Sequence, residues 1–215
     1  NYARNCGIKM STGDVVAFLD DDDEWHKEKI QLQVSMMKSD RQIGLVCTGT
    51  NKVFVEQNTC NVYIPPATYD CKKEILLRNC IGSTTTVMIR RELFDKVGGF
   101  DEKLPALQDY DMWVRICQIT KVGVVKQPCV EYYNYESGGQ ISHSTQKYVK
   151  AAALITEKYE ELIRQLSNDE IKRRKCYFDM LLSKKGMRNG QLGIAIRYGV
   201  KAFFEKPGKA SLICM

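Results

Sequence analysis

Residues 15 to 25 read V-V-A-F-L-D-D-D-D-E-W: five apolar residues run straight into five acids and a tryptophan. The apolar run is short, unbroken and rich in β-branched residues, as in a strand covered on both faces. Like charges this close repel, and no lysine or arginine lies inside the run to relieve them. Open α/β sheets place ligands at the carboxyl ends of their strands, and hard divalent cations prefer oxygen ligands. Asp20 and Asp22 are two apart, so one side of an extended chain carries both. The physical reading is a Mg²⁺ or Mn²⁺ site beside a bound phosphate. The plainer alternative is a solvated turn whose acids face the amino end of a helix starting near His26. It leaves unexplained why the acids abut a buried strand.

Other metal readings fit less well. An EF-hand loop wants acids at alternate positions and glycine at its sixth residue; counting from Asp20, that residue is Trp25. Phosphatases of the haloacid dehalogenase type also carry D-x-D after an apolar strand. They want Thr or Val two residues later, where this chain has Glu24, so that reading stays only as a rival.

A bilayer span needs roughly 20 apolar residues, and the longest unbroken runs, 15–19 and 151–155, have five each. The opening N-Y-A-R-N-C-G-I lacks the apolar core of a signal peptide. Nine cysteines without a C-x-x-C pair argue against a zinc site or a secreted disulfide framework, and for a reducing, cytoplasmic setting.

The rest of the first 145 residues alternates helix and strand patterns. Residues 1–10 read as a helix, and 26–38 as an amphipathic one with Ile30, Val34 and Met37 on its apolar side. Residues 44–50, 52–55, 83–89, 122–125 and 129–133 read as strands, with helices over 72–78 and 109–118. This predicts an α/β domain with a mixed, mainly parallel sheet flanked by helices. From residue 147 the pattern is helical, with breaks at Gly186 and Gly190, giving a C-terminal helical appendage.

Four blocks carry a family resemblance. A-R-N-C-G-I-K-M-S-T-G-D-V-V-A-F-L-D-D-D-D-E-W (3–25), V-G-G-F-D-E (97–102), Q-D-Y-D-M-W-V-R (108–115) and Q-I-S (140–142) resemble, in order and spacing, the family 2 glycosyltransferases. Those are inverting enzymes of the GT-A fold. The resemblance implies that Asp20 to Asp22 form the D-x-D element. Asp22 would be the metal ligand, with Asp20 beside it, and Asp20 and Asp21 would lie near the donor ribose and phosphates. Asp23 and Trp25 would shape the loop and the helix that follows. Gly98 and Gly99 would bring backbone close to the donor sugar, since glycine permits close approach.

Inversion at an anomeric carbon needs a base for the acceptor hydroxyl and an electrophile for the leaving diphosphate. The resemblance assigns the base to Asp109, although Gln108 replaces the acid that precedes it in the family. By itself Asp109 also suits a helix N-cap. Asp111 is the fallback base, or else the partner of a nearby cation such as Arg115. Trp113 belongs to the core or stacks on a sugar. His143, in the loop 137–145 that resembles a segment closing over the diphosphate, is a phosphate or metal contact or an exposed loop residue. Q-I-S-H-S replaces the Q-x-x-R-W of processive members, which implies single additions. Family members begin with strands that form the nucleotide-base pocket, and none precedes Asn1 here, so a non-catalytic binding module is the alternative function.

From Gln146 onward, 15 Lys and Arg face 7 Asp and Glu, so the tail carries +8 and the first 145 residues −2, which together give the net +6. The run Ile171-Lys172-Arg173-Arg174-Lys175 suits an anionic membrane surface, while no nucleic-acid motif accompanies the charge. The expectation is a bacterial, metal-dependent hexosyltransferase of polysaccharide biosynthesis. Residues 1–145 would form its GT-A-like catalytic region and 146–215 a basic helical region. It would use Mn²⁺ or Mg²⁺ to move sugar from a nucleotide-diphosphate donor to a glycan or lipid-linked acceptor. Its setting would be cytoplasmic, with peripheral contact at the inner face of the membrane.

Overall fold

The computed structural model describes residues 1–134 and 144–206. The chain divides into two compact units. One comprises Asn1–Ile75, Asn79–Glu102 and Asp109–Gly138; the other Leu76–Arg78, Lys103–Gln108 and Gly139–Met215.

The first unit is a sheet with helices. Its strands are β1 (Val15–Ala17), β2 (Asp23–Trp25), β3 (Ile43–Phe54), β4 (Thr59–Tyr63), β5 (Val87–Arg90) and β6 (Lys121–Asn134). Its helices are α1 (Tyr2–Met10), α2 (Lys29–Ser39), α3 (Glu74–Leu77), α4 (Glu92–Val97) and α5 (Gln108–Cys117). The order is β1-β5-β3-β6-β2, with β4 folded back on β3. The sheet is mixed, as expected, but the share of parallel pairs is smaller than the alternating pattern predicts. β3 and β6 run parallel; β1–β5, β3–β5, β3–β4 and β2–β6 are antiparallel. Parallel neighbours need long crossovers, and here α3, α4 and α5 together serve one such pair.

The connection from β1 to β2 explains the sheet's shape. These strands end the order on opposite sides. In a flat sheet, four spacings of about 4.8 Å would separate them by ~19 Å, nearly the full reach of six residue steps, ~21 Å. The connector is not extended, because Asp23 N donates to Asp20 O at 3.1 Å in a turn. The sheet therefore curls, and the acid-rich connector crosses its end.

Several elements differ in detail from the sequence pattern. β1 holds three residues, and of the five-residue apolar run Leu19 is 52% exposed, so the run is not covered on both faces. The segments 44–50 and 52–55 are one strand, as are 122–125 and 129–133, because register shifts in the β3–β6 ladder absorb Gly49 and Pro128 without ending it. The helix α2 buries Lys29, Gln33 and Met37, one step round from the apolar stripe, and leaves Ile30 40% exposed. Met37 lies in the core and Val34 packs against it, as expected; Ile30 does not. The Lys29 ammonium donates to Gln33 Oε1 at 2.8 Å and lies 4.0 Å from the Trp25 ring centroid. Gln33 Nε2 donates to the carbonyls of Val46 and Thr86. Polar groups thus enter the core with partners, but among the described residues no carboxylate pairs with Lys29, and burial holds its pKa down at about 7.

The second unit contains α6 (Thr145–Lys158), α7 (Glu160–Ile163), α8 (Asn168–Arg188) and α9 (Leu192–Glu205). Ser167 and Glu170 form a capping box that starts α8. Gly186 does not break the chain; it lies inside α8, where an added Cβ would stand 2.8 Å from Ala195 N of α9. Gly190, at φ +67°, makes the turn instead. The basic run is divided too. Arg174 is buried, donates to Leu76 O and covers the Phe178 ring, while Lys172, Arg173 and Lys175 are exposed.

Two outcomes follow. Between pH 7 and 10.5 the unfolded chain binds a proton that folded Lys29 has lost, so this group's destabilising effect is full below pH 7 and fades as pH rises. Relative to the parent, Lys29→Met should therefore gain roughly 1–4 kcal/mol of stability as pH falls from about 10 to 6, read by urea denaturation. Gly186→Leu should cost about 1–3 kcal/mol by overpacking the α8–α9 contact, read the same way at fixed pH.

Candidate active site

The acid turn is held mainly by one residue. Thr85 lies in a short 3-10 turn, Thr84–Thr86, where the sequence pattern suggests strand. Its hydroxyl donates to Asp23 Oδ2 at 2.6 Å and lies 3.4 Å from Asp20 N, and its carbonyl accepts from Trp25 Nε1 at 3.0 Å. Asp23 and Trp25 are thus the structural members of the cluster, which fits the loop-shaping part the resemblance implies for them. Asp23 is buried, and its Oδ1 has no hydrogen-bond partner. Burial pushes its pKa up to about 6, the Thr85 bond opposes this, and the neighbouring Asp22, Asp20 and Asp21 add to the rise.

The other three aspartates are not buried. Asp21 and Asp22 are exposed. Asp20 Oδ1 accepts from Arg4 Nη2 of α1 at 2.6 Å. A cleft of about 480 Å³ between α1 and β1 is lined by Arg4, Gly7, Ser11, Val16, Phe18 and Asp20. The charges of Arg4 and Asp20 both act on Asp109, at the start of α5. Burial raises the Asp109 pKa, a bond from Tyr110 N at 2.7 Å and the Arg4 charge oppose the rise, and Asp20 adds to it. Tyr110 is the very next residue, so this is not the bond of an N-cap, which reaches two or three residues on. Leu107, at φ +59°, turns the chain just before α5.

Two site candidates lie inward. Asp111, fully buried, accepts from Arg115 Nε and Nη2 at 3.1 and 2.8 Å, and Arg115 Nη1 donates to Val97 O. This pair ties α5 to the end of α4, the cationic-partner alternative for Asp111. Trp113 is also fully buried, donates to Gly82 O and packs edge-on against Phe100. It is a core residue, with no face open to a sugar.

In the Gly98-Gly99 turn, Gly98 faces open space and Gly99 is closely approached. Gly98 takes φ +78°, and a Cβ on Gly99 would meet Asn5 Oδ1 at 2.4 Å. The Asn5 amide donates to Phe100 O and Glu102 and accepts from Phe100 N. The space that Gly99 leaves is filled by Asn5 of α1. His143 lies outside the described residues.

The carboxylates offer oxygen donors of the kind hard cations take. Among the described residues, no group of three or more His, Cys, Asp or Glu side chains is arranged to hold a metal ion. A Mg²⁺ site does not require such a cage, since it characteristically uses one or two carboxylates and completes its shell with phosphate and water. Asp22 with Asp20 is compatible with that donor set. The sequence reading missed Arg4 and Thr85: Arg4 sits within the first resemblance block, but Thr85 stands in an S-T-T-T run with no chemical signature.

Residues 1–98 match the family model described as glycosyl transferase family 2. A glycosyltransferase of Haemophilus influenzae, itself uncharacterised, is 27% identical over 205 residues, 86% of this chain and 70% of that protein. The amylovoran biosynthesis glycosyltransferase AmsB of Erwinia amylovora is 32% identical over 142 residues, covering 61% of this chain and 46% of AmsB. WfgD of Escherichia coli, a UDP-Glc:α-D-GlcNAc-diphosphoundecaprenol β-1,3-glucosyltransferase, is 27% identical over 123 residues, with 57% and 46% covered. The chain thus spans less than half the length of the latter two. In fold it is similar to S. aureus TarS, with TM-score 0.51 at 13% identity over 96% of this chain and 71% of that one. No helix among the described residues is long and apolar enough to cross a membrane. With its GT-A-like mixed sheet, its acid turn and these relatives, the chain is similar to glycosyl transferase family 2, whose model covers its first 98 residues.

Proposed function

We propose that the chain is the catalytic region of an inverting, metal-dependent hexosyltransferase of cell-surface polysaccharide synthesis. The observation that carries this reading is the Arg4–Asp20 ion pair beside exposed Asp21 and Asp22, with both charges of that pair acting on the Asp109 carboxyl. Asp109 is the base. A carboxylate with a raised pKa is better matched to taking a proton near neutral pH. The acceptor oxygen attacks the anomeric carbon as its proton passes to an Asp109 oxygen, and the bond from that carbon to the diphosphate breaks on the opposite face. One displacement inverts the configuration and releases the nucleoside diphosphate.

Asp20 and Asp21 would lie toward the ribose and phosphates, and Asp22 with Asp20 would hold Mn²⁺ or Mg²⁺. A divalent cation bound there would neutralise charge developing on the leaving diphosphate. Arg4 fixes Asp20 and adds positive charge beside the same group. AmsB and WfgD are named for polysaccharide biosynthesis and for transfer to a diphosphoundecaprenol-linked sugar. They support a glycan or lipid-linked acceptor for this chain. A lipid-borne acceptor also calls for peripheral membrane contact through the basic helices of the second unit, at a cytoplasmic face.

Mn²⁺-dependent hydrolysis of UDP- or GDP-sugars should vanish in Asp22→Ala, and undiminished hydrolysis would reject the metal assignment. In Asp109→Asn, nucleotide-sugar binding by calorimetry should persist while transfer falls by 10²-fold or more, on the order expected for a general base. Transfer retained would reject Asp109 as the base. Donor binding with no turnover under any metal or acceptor condition would point instead to a binding module.

A further inference from the structure

The helix α9 is packed the wrong way round for a helix that ends in water. Its small residues face inward: Ala195 and Ala202 are fully buried, Gly199 is buried beside them, and Ala195 meets α8 at Gly186, with its carbonyl accepting from Ser183. Three of its large apolar residues face outward, with Leu192 60%, Ile196 55% and Phe204 77% exposed, while Ile194, Tyr198, Val200 and Phe203 are half-buried. At 100° per residue these three fall on one side of the helix, and they extend along it for about 18 Å. Exposed Arg197 and Lys201 flank that side. Single exposed apolar residues are ordinary, but a continuous apolar face bordered by cations marks an interaction surface.

We infer that the outer face of α9 is a membrane-docking surface for anionic lipid. It lies flat at the headgroup boundary, with Leu192, Ile196 and Phe204 entering the acyl region and Arg197 and Lys201 meeting lipid phosphates. The choice of partner rests on charge complementarity. The region from Gln146 onward carries 15 cations against 7 acids, and amphipathic helices with this arrangement bind where apolar insertion and anionic attraction act together. A second copy of the chain presenting the same face would bring these cations against one another. The surface supplies residues for the membrane contact of the proposed function and rests on that reading only for its choice of partner. It also relocates the contact, from the Ile171–Lys175 run, whose Arg174 is buried, to α9.

The test is co-sedimentation of the full 215-residue chain with vesicles, without donor or acceptor, so that failure leaves the transfer reading standing. Binding is expected to vesicles containing phosphatidylglycerol and to be much weaker to phosphatidylcholine alone. Ile196→Glu with Phe204→Glu should lower it at least tenfold, and Phe204→Leu should retain it. Arg197→Glu and Lys201→Glu should each weaken it roughly fivefold or more on the anionic vesicles. Val62→Glu, which alters an equally exposed apolar residue of β4, should leave it unchanged. Equal binding to both vesicle types, unchanged binding in the double variant, or the same loss in Val62→Glu would overturn the inference. So would a dimer in sedimentation velocity that Ile196→Glu dissociates, because the face would then belong to a second copy.

Discussion

Four adjacent aspartates can share one turn only if their charges are drawn apart, and the turn separates them by direction. Asp23 points inward onto the Thr85 hydroxyl, Asp20 goes sideways to Arg4, and Asp21 and Asp22 remain in water. The inward one is costly, with an unpartnered oxygen and a pKa raised to about 6. The same 3-10 turn anchors two further residues: Trp25 donates to Thr85 O, and Gln33 to Thr86 O. Through Lys29, seated on Gln33 and the Trp25 ring, the acid turn is fastened to the polar interior of α2. A cluster that looks like a surface feature is therefore anchored in the core.

This anchoring explains where periodicity misleads. The i, i+4 spacing of α2 is legible, but two stripes share it and meet at Met37, and the polar Lys29 and Gln33 are buried more deeply than Ile30 and Val34. Lys29 and Gln33 go inside because carbonyls of β3 and of the Thr84–Thr86 turn wait there for a donor. Hydropathy records the cost of burying a polar group and nothing of the partner that offsets it. The sheet gives a similar lesson. Alternating strands and helices indicate a mixed α/β fold, but strand direction depends on how connections cross the sheet.

Within the candidate site, the acids and Asp109 were legible because aspartates in such numbers beside apolar segments are conspicuous. Their companions were not. Arg4 matters because α1 lies next to the end of β1, and Thr85 because the chain bends before β5; both are contacts between segments distant in sequence. The glycines show the opposite case. The spacing V-G-G-F marks a close approach, but only coordinates show that the approaching group is Asn5. Trp113 and Asp111 likewise carry residue types that suit a site and are used by the core.

By itself the sequence determined the likeness to family 2 glycosyltransferases, the α/β class, the helical character of the chain from residue 147 onward and the acid turn, because these depend on local composition and on spacing along the chain. Tertiary structure decided which acid is buried, which cation meets Asp20, which face of α2 turns inward and which face of α9 is left outside. Those outcomes depend on partners from other segments, and a sequence lists its residues without saying which of them will meet.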